Sequence, residues 1–170
     1  MIKLRAKVSP IIVAAIVTMG SAIGITVGTA APAQAFTCAY TGFVFSSESG
    51  AYLDDYGGGS GTYVHTYPYS GSNNQHWCLE SAYQGGYYFH PYNNLGLCLD
   101  AHTYTSGQRI WVYTCNGTQP QRWCWNGDGY IVTAGNAHYA LHDWGTYPTV
   151  TIENGGNRVW LFGEYITDTC

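Results

Sequence analysis

The sequence predicts an all-β domain made of three repeated units, and three observations carry that prediction. Glycine (22 residues) and tyrosine (16) are abundant, while charged residues make up only 9% of the chain, too few to clothe the polar faces of several amphipathic helices. Short apolar or aromatic runs such as Phe43-Val44-Phe45, Tyr87-Tyr88-Phe89 and Tyr130-Ile131-Val132 alternate with Gly, Asn and Asp clusters, the pattern of many short strands joined by tight turns. Finally, two markers recur in the same order three times, which points to internal repetition.

The first marker is Asn74-Gln75-His76-Trp77, repeated as Pro120-Gln121-Arg122-Trp123 and more weakly as Asn157-Arg158-Val159-Trp160. The second lies upstream of each Trp: Tyr52-Leu53-Asp54, Cys98-Leu99-Asp100 and Ala140-Leu141-His142. From Leu to Trp the spacing is 24, 24 and 19 residues, so the third unit is shortened by five. The repeats run over about 36–79, 80–125 and 126–170. One such unit has too small an apolar face to stand alone, whereas three can close a barrel around shared indoles.

Ahead of the repeats, Lys3, Arg5 and Lys7 precede an uncharged run from Ile11 to Ala30 that ends on Ala33-Gln34-Ala35. This is the layout of a signal peptide, residues 1–35, cleaved after Ala35 to give a mature domain of residues 36–170. The apolar run is also long enough to span a bilayer; the small residues of the Ala-x-Ala site decide for cleavage and secretion, with no membrane association afterwards.

The mature segment keeps three cations, Arg109, Arg122 and Arg158, against ten acidic residues, a formal charge of −7. Nucleic acid is therefore not an expected partner. All six cysteines lie in this segment, an even number in an exported chain, which reads as three disulfides. The C-x-x-C spacing of zinc and redox sites is absent.

The second unit runs Cys98-Leu99-Asp100, Gly107, Ile110, Val112, Cys115-Asn116-Gly117 and Gln121-Arg122-Trp123. In this order the residues resemble the ricin-type (R-type) lectins, and the resemblance extends over essentially the whole mature chain. It implies a β-trefoil of twelve strands with pseudo-threefold symmetry, in which the Trp of each Gln-x-Trp motif (Trp77, Trp123 and Trp160 here) builds the common core. It also implies a disulfide from Cys98 to Cys115. First and last strands neighbour each other in such a fold, which favours Cys38 with Cys170 and leaves Cys78 with Cys124.

Holding a sugar in water needs a carboxylate for adjacent hydroxyls, an aromatic face for the apolar C–H patch, and amides for the remaining hydroxyls. By the resemblance, the first unit retains the full set: Asp54 as carboxylate, Tyr67 as stacking ring, His65 at the intervening polar position, and Asn74 with Gln75 as the amide pair. The second unit keeps Asp100, Tyr113 and Gln121, places Trp111 at the polar position, and has Pro120 where an amide is expected. The third has His142 in place of the carboxylate and is expected to be degenerate; Asp143 and Trp144 should point to opposite faces of the strand.

Catalysis finds little support. No G-x-S-x-G or H-E-x-x-H occurs, and adjacent Asp54 and Asp55 face opposite ways on a strand, so they cannot flank one glycosidic bond. The six histidines show no metal-ligand spacing, and the residue set calls for no metal or other cofactor. The expected function is that of a secreted, non-enzymatic lectin whose partner is carbohydrate, with galactose-like or xylan-type sugars implied by the resemblance. The competing readings are a trefoil that binds another protein, as inhibitors do, and an accessory glycan-binding partner of a separate hydrolase. The sequence does not set the oligomeric state.

Overall fold

The computed structural model describes residues 37–145, 149–156 and 158–163. The expected signal peptide, the start at Phe36 and Cys170 lie outside the described residues. All strands belong to the compact unit Ala35–Cys170.

Each repeat contributes four strand positions. The first unit holds β1 (Tyr40–Ser46), β2 (Tyr52–Asp54), a third position split into β3 (Thr62–Tyr63) and β4 (His65–Tyr67), and β5 (His76–Ser81). The second holds β6 (Tyr87–Pro91), β7 (Leu97–Asp100), the split pair β8 (Gln108–Arg109) and β9 (Trp111–Thr114), then β10 (Arg122–Trp125) after a short 3-10 turn at Gln119–Gln121. The third holds β11 (Ile131–Thr133), β12 (Asn136–His142), β13 (Thr151–Asn154) and β14 (Trp160–Phe162). The described residues thus fill the twelve positions of a trefoil, two of them broken in the middle.

The breaks mark the pseudo-threefold axis. Val64 interrupts β3 and β4, Ile110 interrupts β8 and β9, and Val150 precedes β13; all three are fully buried. Their backbones form a closed ring: Val64 N–H donates to Ile110 O at 2.9 Å, Ile110 N–H to Val150 O at 3.0 Å, and Val150 N–H to Val64 O at 3.1 Å. Each unit thereby satisfies a neighbour's buried peptide group, which water could not reach.

The spacing from Leu to Trp has a direct physical counterpart. Trp77 Nε1–H donates to Leu53 O, Trp123 Nε1–H to Leu99 O, and Trp160 Nε1–H to Leu141 O, each at 2.9 Å. The three indoles are at most 1% exposed and belong to one core cluster with Leu53, Leu99 and Leu141. A buried indole needs a partner for its N–H, and the Leu carbonyl supplies one in every unit, including the shortened third.

Closure of the barrel corrects two expected disulfides. First and last strands do neighbour each other, since Val44 pairs with Phe162 and Ser46 with Trp160. That pairing uses only the C-terminal half of β1, whereas the N-terminal half, Tyr40–Phe43, pairs with β5. Cys38, just ahead of β1, therefore lies against β5 and is joined to Cys78, not to Cys170, with a Cα–Cα distance of 5.3 Å. This also removes Cys78 as a partner for Cys124, which is itself disulfide-bonded. Cys98 and Cys115 are joined as the resemblance implies.

Candidate functional site

The third strand position of each unit folds back antiparallel on the second, in a register that all three units share. In the first, Asp54 faces His65 and Tyr52 faces Tyr67; in the second, Asp100 faces Trp111 and Cys98 faces Tyr113; in the third, His142 faces Thr151 and Ala140 faces Glu153. Because alternate residues share a face, the carboxylate, polar and stacking positions stand together on one side of each hairpin.

In the first unit this produces a cavity of about 310 Å3 bordered by Asp54, Tyr56, His65, Tyr67 and Asn74, with Ser70 and Ser72 at its edge. Asp54 is 5% exposed, and its Oδ1 accepts the Tyr56 N–H at 2.7 Å. This bond turns the backbone sharply: Tyr56 has φ 59°, a left-handed conformation that costs a bulky residue on the order of 1–2 kcal/mol. Gly57 follows, and a Cβ there would lie 3.2 Å from the side chain of Asn74, so glycine lets the amide into the site. Asn74 Oδ1 accepts from Asn93 Nδ2 at 3.0 Å, which turns its carbonyl end away toward Asn93.

Asp55, one step along, faces the other way as expected and is fully buried. Its Oδ1 accepts from Gly57 N–H and from Asn93 Nδ2, while Oδ2 is buried without a partner. Burial pushes its carboxyl above the usual aspartate range, the Gly57 and Asn93 bonds oppose this, and the neighbouring Asp54 charge adds to it. Asp55 thus belongs to the scaffold that holds Asn74. His65 Nε2 stands 4.0 Å from Asp54 Oδ1; burial lowers its pKa below the ordinary imidazole value, with the Asp54 charge pulling the other way. At neutral pH the imidazole beside Asp54 is therefore uncharged.

The second unit repeats the turn: His102 has φ 58°, and its N–H donates to Asp100 Oδ1 at 2.5 Å. The difference is at the other oxygen, where Asp100 Oδ2 accepts from Gln121 Nε2 at 2.9 Å. Trp111 packs against Tyr63 with ring centroids 4.0 Å apart, and its buried Nε1 lacks a hydrogen-bond partner. Tyr113 is 47% exposed. Asp100, Trp111 and Tyr113 are thus brought to one hairpin face, with both carboxylate oxygens already engaged by protein.

Gln75 and Gln121 are corrected in role. Both are fully buried, and each amide bridges the ends of its own loop. Gln75 Oε1 accepts from Ser70 N–H while its Nε2 donates to Pro68 O; Gln121 Oε1 accepts from Asn116 N–H while its Nε2 donates to Thr114 O. They shape the wall that carries Tyr67 and Tyr113 and do not face solvent. The aromatic wall residue Tyr56 is not among the expected contacts, although the Asp-x-aromatic-Gly run of residues 54–57 is the signal of a strained turn.

In the third unit the buried His142 has both ring nitrogens without hydrogen-bond partners and packs against Trp144. Asp143 points away, accepting from Ser49 Oγ at 2.5 Å and lying 3.5 Å from Arg158 Nε; Arg158 also pairs with Glu48. The stacking position is taken by Glu153, whose carboxylate accepts from Ser106 and Thr151. Among the described residues, the third unit thus has neither a carboxylate at the position of Asp54 nor a ring at that of Tyr67. One group of metal-ligating atoms, His90 with Cys98 and Cys115, is closed to an ion because the two sulfurs are bonded to each other.

Residues 40–147 match the family model of the ricin-type beta-trefoil lectin domain. No curated protein matches the sequence. Among solved structures, the chain is similar to ThreeFoil, a designed 3-fold symmetric protein, with 23% identity, a TM-score of 0.64, and 74% of this chain and 99% of that one covered. It is similar to the beta-trefoil lectin of the Vibrio vulnificus hemolysin/cytolysin, solved with N-acetyl-D-lactosamine bound, at 21% identity and a TM-score of 0.59 over 72% and 92%. A non-toxic homologue of type II RIPs from Momordica charantia, solved with α-methyl-D-galactoside, matches at 21% identity and a TM-score of 0.60 over 74% of this chain; the chain spans 48% of that protein's length. The threefold ring of peptide bonds, the three indole bonds and the family match over most of the domain lead to one statement: the chain belongs to the ricin-type beta-trefoil lectin domain family, whose members are carbohydrate-binding modules.

Proposed function

We propose that the protein is a secreted lectin whose first unit binds a galactose-like or xylan-type sugar, without catalysing its breakdown. The observation that carries this reading is the convergence of Asp54, His65, Tyr67 and Asn74 on one open cavity. Asp54, oriented by the Tyr56 N–H, accepts from two adjacent sugar hydroxyls. Tyr67, 37% exposed, presents a ring for the apolar C–H face, and the Asn74 amide with the uncharged His65 serves further hydroxyls. The family membership and the sugar-bound lectins that share the fold support the same ligand class. Disulfides suit an oxidising, extracellular setting.

The second unit is the weaker site. Asp100 has to share both oxygens with His102 and Gln121, and Pro120 offers no amide. If both units bind, their separation around the pseudo-threefold axis makes the module bivalent, and modest affinities combine into avidity on a glycan surface. A glycan-array screen of the disulfide-bonded protein tests the proposal. Binding to galactosides or xylosides that is lost in Asp54→Ala supports it; a blank array from folded protein refutes it and favours a protein partner.

A further inference from the structure

The hairpin face that carries the first pocket holds more aromatic rings than the pocket uses. On β1, Phe43 and Phe45 alternate with the fully buried Val44 and so point away from the core. Phe45 stacks on Tyr52 at 5.3 Å, Tyr52 lies 4.9 Å from Tyr69, and Tyr69 lies 5.3 Å from Phe43. Phe43 stacks on His76 at 5.1 Å, and His76 lies 4.6 Å from Tyr92. These six rings form an unbroken strip, with Tyr69 60% and Tyr92 45% exposed.

Register joins the strip to the pocket. Tyr52 stands opposite Tyr67, and Tyr52 and Asp54 are two residues apart on β2, so the ring that would stack a sugar and the first rings of the strip share one face. Tyr69 is also chain neighbour to Ser70, which borders the cavity. The second unit shows what fastening alone needs at these positions. Counting from Leu99 as from Leu53, the places of Tyr52 and Tyr69 are taken by Cys98 and Cys115, which are disulfide-bonded across the same separation of 17 residues. A fastening does not call for a ring left largely in solvent, nor for a further row of rings leading away from it.

We propose that this strip is an extended subsite that carries the sugar residues following the one held at Asp54, so that the ligand of the first unit is a chain of neutral pyranoses and not a single terminal sugar. The inference rests on the pocket reading above. Ring faces take the apolar C–H faces of successive sugars, while phenolic hydroxyls at the ring edges meet the equatorial hydroxyls. The six residues include no carboxylate, lysine or arginine, which suits a neutral chain over an acidic or sulfated one. Tyr69 and Tyr92 stand in solvent while the other four rings are half-buried, an apolar surface open to a partner, and its continuity with the pocket favours a glycan.

Calorimetric titration of the disulfide-bonded full chain with two series tests this: xylose through xylohexaose, and galactose through β-1,4-galactotetraose. In at least one series affinity is expected to rise about tenfold from monosaccharide to the longest member, the scale of one or two added aromatic contacts. Tyr69→Ala should abolish the rise while leaving monosaccharide affinity within about twofold. Tyr52→Cys combined with Tyr69→Cys, which copies the fastening of the second unit, should retain the native melting temperature and also lose the rise. Chain-length independence in the native protein overturns the inference but leaves the pocket reading standing, as does equal loss for all lengths in Tyr69→Ala. A native dimer that Tyr69→Ala converts to monomer in sedimentation overturns it by making the strip a protein contact. Failure of every sugar to bind overturns the pocket reading and this one together.

Discussion

The first and second units share a backbone, a register and an indole bond, yet solve the same local problem with different chemistry. Each must tie the second strand position to the end of the third. The second unit uses the Cys98–Cys115 disulfide, with His90 Nδ1 packed 3.4 Å from Cys115 Sγ. The first uses a noncovalent pair, Tyr52 and Tyr69, and their neighbouring rings. The carboxylates divide in the same way: Asp100 is held by protein at both oxygens, whereas Asp54 is held through one. The two carboxylates are equally buried, so the difference lies in their partners: the second unit spends a disulfide and a second carboxylate oxygen on its own scaffold, where the first has an aromatic pair whose Tyr69 stands 60% exposed. On the proposed reading, binding and stability are weighted differently in two copies of one motif.

The largest expected effect treats the units alike. Trp77→Ala or Trp123→Ala should each cost about 3–5 kcal/mol by opening a large cavity in the shared core, measured by denaturant unfolding; a much smaller loss for one of them would break the equivalence. Replacing Cys98 and Cys115 together by Ala should cost about 3 kcal/mol for a loop of this length, while Tyr52→Ala should cost less and leave the second unit unaffected. Next in size is the carboxylate pair. Asp100→Ala leaves the His102 N–H and the Gln121 amide short of a partner and should destabilise by about 1–3 kcal/mol, against about 1 kcal/mol for Asp54→Ala, which removes one backbone bond. Melting curves of the two variants give the order directly.

The smallest effect is one of pH. Asp55 binds its proton more tightly folded than unfolded, so its contribution to stability is full below the ordinary aspartate pKa and declines as pH rises through the raised folded value. Asp55→Asn should therefore flatten the fall in melting temperature above pH 4. His65 has the opposite sign: its lowered pKa favours the folded state above the ordinary imidazole value and is lost as pH falls below it. Sugar affinity should weaken over the same acid range, because an imidazolium beside Asp54 competes for its carboxylate. His65→Gln should remove that part of the pH dependence.

The repeat structure was legible because its markers carry invariant physics. A buried indole must donate somewhere, so Leu and Trp travel together even where five residues are missing between them. That Asp54, His65 and Tyr67 belong together was legible through the resemblance, and the register sets them on one hairpin face, while their roles toward a sugar stay part of the proposal. The amide roles were not legible. Gln75 and Gln121 have the right chemistry for a sugar, and only the fold shows that their amides are spent on the loop ends behind Tyr67 and Tyr113. The pairing of Cys38 with Cys78 depended on which half of β1 meets β5, a matter of register that cysteine spacing does not encode. The kinship of Tyr52 and Tyr69 with Cys98 and Cys115 was present in their equal separation, but residues so unlike do not align by eye.

The most direct test is calorimetric titration of galactose and xylose onto the native protein, Asp54→Ala and Asp100→Ala, all confirmed folded by their melting transitions. The account predicts that Asp54→Ala removes the tighter binding phase, or all measurable heat, and that Asp100→Ala leaves that phase intact despite its greater loss of stability. Unchanged binding by Asp54→Ala, or loss confined to Asp100→Ala, would contradict the assignment of the first unit as the principal sugar site.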